Sequence, residues 1–232
     1  MRLQRILIPS LLLIISIISA PQTSFSQTIK KSLSGTIQLP ASKNLNTRSR
    51  GGAYRSRYAI SDQSKEAKKN NPYDDIVVYL TPVDGKISVE PLQPFPVLNQ
   101  KNVTFIPRVL PITVGTTVSI INEDRIYHNV FSKSNIQSFD IGKRPTGVVF
   151  NQTFTKPGAI QSFCTIHPDM STYILVLETP YFVKTDNEGF YLFENIPTGK
   201  YWLEVFHPDF TIEKRQISLK TGSPQTIDLS MR

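Results

Sequence analysis

The chain has 232 residues, with 26 Lys+Arg against 18 Asp+Glu, three His, one Cys, one Trp and three Met. That length makes one large or two small domains at roughly 100–200 residues each, and 39% hydrophobic with 19% charged residues argues against wholesale disorder. One cysteine excludes an intramolecular disulfide framework and a Cys-rich zinc site; three histidines are too few for a multi-metal oxidase, so any metal site must be small.

Arg2 and Arg5 precede an apolar run from Ile6 to Ala20. At about 15 residues the run is shorter than the ~20 needed to span a bilayer. Ala20, Ser24 and Ser26 then supply small residues, so residues 1–26 read as a cleavable secretory signal peptide, with an uncleaved anchor as the alternative. The expected product is exported, periplasmic or secreted, without stable membrane insertion. In an oxidising compartment a lone thiol persists most easily when buried or when its sulfur is occupied, which singles out Cys164.

Residues 27–42 read as the first strand region of a small β module. From Lys43 to Pro72 there are eight basic residues and two acids, a charge of +6. The signal segment carries +2 of the total +8, so the remainder of the chain is neutral. Residues 43–72 lack both the 2.0 and the 3.6 period and read as a basic flexible linker or loop. The charge either only solvates it or docks an acidic surface; export argues against nucleic acid.

From Asp75 onward short β-rich runs alternate with Pro, Gly and Asx turns. Strands are expected near Ile76–Leu80, Val103–Ile106, Thr117–Ile121, His128–Ser132, Val148–Phe154, Ala159–Cys164 and Tyr173–Glu178. Val83-Asp84-Gly85-Lys86 reads as a hairpin turn, so residues 73–100 are taken as a strand and hairpin preceding a core at 101–180. Seventeen prolines argue against long helices. The fold class is all-β, a sandwich or barrel.

A second unit follows over residues 181–232. Tyr191 and Phe193 alternate with Leu192 and Glu194, Ile196-Pro197-Thr198-Gly199 turns the chain, and Tyr201, Leu203 and Val205 repeat the alternation. Residues 185–205 resemble the transthyretin-like module of carboxypeptidase regulatory domains. About fifty residues are few for a sandwich alone, so this unit is expected to borrow strands from Leu33–Pro40 and Ile76–Leu80, which makes the core between them an insertion.

The chemistry-bearing text is Phe163-Cys164-Thr165-Ile166-His167-Pro168-Asp169-Met170, preceded by Tyr127-His128-Asn129-Val130. Separately, a Cys is commonly a small core hydrophobe, a turn His solvated and a strand Met core. Jointly they give a thiolate, two imidazoles and a thioether, a soft set suited to copper; His₂Cys with a long axial Met is the blue-copper arrangement. Cys164, His167 and Met170 fall within seven residues, and His128 comes from a distant strand. His207, in Phe206-His207-Pro208, reads as a solvated strand-end residue, and Glu123-Asp124-Arg125 as a polar turn. Asn102 and Asn151 head glycosylation sequons that matter only in a eukaryote.

Residues 101–178 resemble plastocyanin/amicyanin-type cupredoxins in Phe105-Ile106-Pro107, Val114-Gly115-Thr116-Thr117-Val118, Asn122-Glu123-Asp124, His128-Asn129-Val130, Lys156-Pro157-Gly158 and Cys164-x₂-His167-x₂-Met170. The short Cys–Met loop looks amicyanin-like, and the flanks resemble exported plastocyanin-like proteins of the methylamine-utilisation type. The resemblance implies a Greek-key cupredoxin sandwich plus a small transthyretin-like β-sandwich module. It implies one type 1 copper ion held by His128, Cys164, His167 and Met170, with Asn129 bracing the thiolate loop. The basic segment has no place in a minimal cupredoxin.

The leading expectation is an exported electron carrier, not an enzyme, serving a redox partner protein such as a cytochrome or dehydrogenase. A periplasmic copper-binding chaperone, or a structural β module with a vestigial site, are the alternatives. A catalytic copper enzyme would need further histidines, and only His207 remains unless a neighbouring subunit supplies one.

Overall fold

The structure is a computed structural model that describes residues 32–40, 71–211, 214–220 and 224–232. The expected signal segment, most of the basic segment and Ile212 lie outside the described residues. Among the described residues every regular element is a strand except one short 3₁₀ turn at Pro72–Asp75.

The chain enters through β1 (Ser32–Gln38) and β2 (Val77–Pro82). The central part then carries β3 (Val97–Lys101), β4 (Thr104–Ile106), β5 (Val109–Thr113), β6 (Thr117–Asn122), β7 (Phe131–Ser132), β8 (Phe139–Asp140), β9 (Val149–Thr153), β10 (Gly158–Phe163) and β11 (Ser171–Leu177). After it come β12 (Phe182–Lys184), β13 (Phe190–Glu194), β14 (Gly199–Phe206), β15 (Arg215–Leu219), β16 (Gln225–Thr226) and β17 (Leu229–Ser230).

The central strands form two sheets, ordered β4-β3-β6-β9 and β5-β11-β10-β7-β8. Period-two burial explains their packing: in β6, Val118, Ile120 and Asn122 face inward while Thr117, Ser119 and Ile121 face out. Leu98, Ile112, Ile120, Phe154, Ile160 and Ile174 fill the space between the sheets. Each buries its side chain completely or nearly so, worth about 1.5–3 kcal/mol apiece.

The flanking strands make a second pair of sheets, β13-β1-β16 with β17 also on β1, and β12-β2-β14-β15. β1 pairs with β13 from Ser32↔Glu194 to Thr36↔Phe190, and β2 pairs with β14 from Val77↔Phe206 to Pro82↔Tyr201. Segments more than a hundred residues apart therefore build one small sandwich around Leu33, Leu80, Tyr191, Phe193 and Leu203, and the central strands leave and return between β2 and β12.

Two local expectations are corrected. Gly85 takes a positive φ of 81°, as an Asp-Gly turn requires, but no hairpin forms, because β2 is already paired with β12 and β14 on its two sides. A core beginning at residue 101 is also too late: β3 starts at Val97 and pairs in parallel with β6 from Val97↔Ser119 to Gln100↔Asn122. A third apolar cluster of Val77, Val109, Leu175 and Leu177 joins β2 of the small sandwich to β5 and β11 of the central one.

Candidate metal centre

His128 is completely buried, and its backbone is fixed by a neighbouring segment. It exchanges two hydrogen bonds with Arg144, from His128 N–H to Arg144 O at 3.1 Å and from Arg144 N–H to His128 O at 2.7 Å. Asn122, at the end of β6, donates Nδ2 to Ile126 O (2.8 Å) and Arg144 O (2.9 Å), tying the same segments together.

The imidazole is oriented by a carboxylate. His128 Nε2 lies 2.8 Å from Asp124 Oδ2. Asp124 also accepts backbone N–H bonds from Asn102 (2.6 Å) and Val103 (2.9 Å) in the β3–β4 turn. Burial alone would raise the Asp124 pKa, but the Val103 bond, the His128 bond and the Asn102 bond together hold it below its ordinary 3.8. An ionised carboxylate only accepts, so the Nε2 atom carries the proton and Nδ1 presents its lone pair. Sequence alone places Asp124 in a polar turn; its position four residues before a histidine is the signal that could have found it.

That lone pair faces the thiol. Cys164, just past β10 and 5% exposed, has Sγ 3.9 Å from His128 Nδ1 and 3.7 Å from His167 Nδ1. The three candidate ligand atoms lie within 4.8 Å of one another. The two rings have centroids 4.7 Å apart and planes tilted by 58°. His167 is half-buried; burial and the neighbouring His128 hold its pKa below the ordinary 6.5, so it is neutral at pH 7 and able to donate a lone pair.

The loop from Cys164 to Met170 is closed by its own backbone: Met170 N–H donates to His167 O (3.0 Å) and Cys164 N–H to Met170 O (3.3 Å). Met170 is 1% exposed and packs in the same apolar cluster as Cys164. Asn129 is buried, donates Nδ2 to Thr165 Oγ1 at 3.4 Å beside the cysteine, and accepts from Gln100 Nε2 at its backbone oxygen (3.2 Å). Ile126, Tyr127 and Ile166, the sequence neighbours of the two histidines, are exposed.

His207 stands apart from this group. It is buried rather than solvated, because its ring packs 4.8 Å from Phe210 and its Nδ1 accepts the Asp209 N–H at 3.0 Å. Burial is the main reason its pKa lies below 6.5.

Chemically, a thiol and two imidazole lone pairs converging in a buried pocket form a soft, nitrogen–sulfur donor set, and this fits copper better than hard cations. No protein-family model matches the chain, and no curated protein matches it. Solved structures do. A Cu-containing nitrite reductase (NirK) from Thermus scotoductus SA-01 is 33% identical over 43% of this chain, with a TM-score of 0.36; the match spans 26% of that enzyme. An amicyanin point mutant in its Cu(I) form is 21% identical over 43% of this chain and 99% of its own, with a TM-score of 0.35. A purple cupredoxin from Nitrosopumilus maritimus is 26% identical over 35% of this chain and 99% of its own, with a TM-score of 0.32. Among the described residues no helix is long and apolar enough to cross a membrane.

Proposed function

We propose that the protein is an exported type 1 copper protein that carries single electrons between redox partners. The observation that carries this reading is the approach of Cys164 Sγ to two imidazole Nδ1 atoms, at 3.9 and 3.7 Å, with His128 held in the required tautomer by Asp124. In this reading His128, Cys164 and His167 would hold the ion, with the Met170 thioether as a fourth, soft donor. Copper, when bound, supplies the one-electron Cu(I)/Cu(II) couple.

The chain's own residues do the rest. Asp124, Asn122 and Arg144 fix His128 on the sheet, Asn129 and the loop's backbone bonds fix Cys164, and burial keeps water from the thiol. A donor set fixed before the metal arrives limits rearrangement between oxidation states. Half-buried His167, with Ile126, Tyr127 and Ile166 exposed, offers an edge for a redox partner such as a cytochrome or dehydrogenase.

The test is the visible spectrum of the Cu(II)-loaded protein beside its Cys164→Ser variant. An intense thiolate charge-transfer band that disappears in the variant is expected. A colourless Cu(II) protein, or one whose band survives in the variant, would overturn the reading.

A further inference from the structure

The small sandwich touches the strand that leaves the candidate metal loop. β11 begins at Ser171, immediately after Met170, and its outer face meets the small sandwich through Leu175 and Leu177 against Val77, and through Tyr173, whose ring lies 5.8 Å from that of Phe206. The first residues of β11 are fastened to one short segment of the central sandwich. Tyr173 N–H donates to Arg108 O at 2.8 Å, and Thr172 Oγ1 lies 3.0 Å from Arg108 O and 3.3 Å from Pro107 O.

The Arg108 side chain reaches the other way. Its guanidinium pairs with Asp75 at 2.5 Å, at the end of the 3₁₀ turn, and with Asp209 at 3.2 Å, after β14. Both acids belong to the small sandwich. Asp75 is buried, so its charge is committed to this pair. Arg108 thus meets the start of β11 with its carbonyl, beside the β10 ladder on the other side, and the small sandwich with its side chain.

We propose that Arg108 is a positioning residue through which the small sandwich keeps the Cys164–Met170 loop closed. The inference takes from the copper reading only the importance of that loop. The closed loop requires Met170 O to stay against Cys164 N–H, and Thr172, two residues on, is completely buried with its hydroxyl on the Pro107–Arg108 carbonyls. Releasing Arg108 from its two acids frees that anchor, so the loop opens more often and uncovers the thiol.

The chain has one cysteine, so its labelling rate reads this opening directly. The metal-free protein is treated with an aromatic disulfide reagent under native conditions, and thiol release is followed in time. Arg108→Ala is compared with a double variant, Arg108→Met with Asp75→Asn, which removes the clamp without leaving a buried unpaired acid. Asp228→Asn serves as the control, since Asp228 accepts from Thr36 N–H and Oγ1 at 2.8 Å, wholly within the small sandwich.

Labelling about tenfold faster or more is expected in both Arg108 variants, as the loss of charge-assisted hydrogen bonds to Asp75 and Asp209 implies, with the control at the parental rate. The parental rate in the double variant would overturn the proposal, as would equal acceleration in Asp228→Asn, which would trace labelling to general unfolding. If Arg108→Ala does not fold, the double variant alone decides. A protein with no copper–thiolate band would refute the proposed function and leave these rates to be judged separately.

Discussion

Replacing Asp124 by Asn changes one atom and should disturb the orientation of His128. The carboxylate accepts three hydrogen bonds, from Asn102 N–H, Val103 N–H and His128 Nε2, and its side chain is 14% exposed. An amide has one acceptor oxygen and two N–H donors. With its oxygen in the place of Oδ2 the amide keeps the Val103 and His128 bonds and loses the Asn102 bond; turned over, it loses the other two. Losing one or two charge-assisted bonds at about 1.5–3 kcal/mol each, partly offset by rearrangement, predicts a loss of about 2–3 kcal/mol in the metal-free protein. In the second orientation His128 moves its proton to Nδ1, turning the lone pair away from Cys164.

Two assays read this. Urea unfolding at pH 7 gives the stability loss, and imidazole nitrogen resonances give the tautomer. The pH dependence has a definite sign. The native pKa of Asp124 lies below its ordinary 3.8, so its contribution is complete above that unfolded value and is lost as pH falls through the lower native one. The gap between parent and variant should therefore shrink below about pH 4. A variant within about 0.5 kcal/mol of the parent, with the Nε2–H tautomer retained, would refute the argument.

Three further outcomes follow from the same contacts. His207→Ala should cost about 1–2 kcal/mol by removing a buried ring and the acceptor for Asp209 N–H, seen in the fluorescence of Trp202, while any copper–thiolate band is unchanged. Gly35→Ala should destabilise the small sandwich by about 2 kcal/mol or more in urea, because the added Cβ would sit 1.8 Å from Ile227 O, where β1 meets the chain leading to β17. Tyr79 is pushed up to about 12, first by burial and then by Glu204, so the native state holds its proton longer than the unfolded chain. Stability should accordingly fall as pH rises from 10 towards 12, and a Tyr79→Phe variant should lose part of that fall.

The sequence is readable where local pattern and final environment agree. β6, β9, β10 and β11 fall within one to two residues of their expected places, because each alternates against a core or ends at a glycine or proline. β13 shows Tyr191 and Phe193 buried with Phe190, Leu192 and Glu194 outside, the alternation expected of it. β5 escapes sequence reading because Pro111 sits in its middle; the strand lies at a sheet edge, where a missing N–H is tolerated. β8 has two residues and leaves no periodic trace. The Asp84-Gly85 turn misleads because a local signal fixes a bend but not a strand's partners, which for β2 lie about a hundred residues further on.

The spacing of Cys164 and His167 anticipates that they meet, and His128 joins them from the segment before β7, which pairs with β10. What spacing does not give is orientation. Asp124 needs the β3–β4 turn, with Asn102 and Val103 at positive φ, to be aimed at Nε2. His207 needs Phe210 and the Asp209 amide to become buried. Arg108 is a lone cation in the text, and only the meeting of two sandwiches gives it Asp75 and Asp209.

The central claim, reversible one-electron transfer at the Cys164 centre, is tested most directly by voltammetry of the copper-loaded protein with its visible spectrum recorded at each potential. The account predicts a single reversible one-electron wave whose reduction bleaches the thiolate band and whose reoxidation restores it, repeatedly and without loss of metal. A protein that holds copper only in the reduced state, or that releases it on oxidation, would contradict the account.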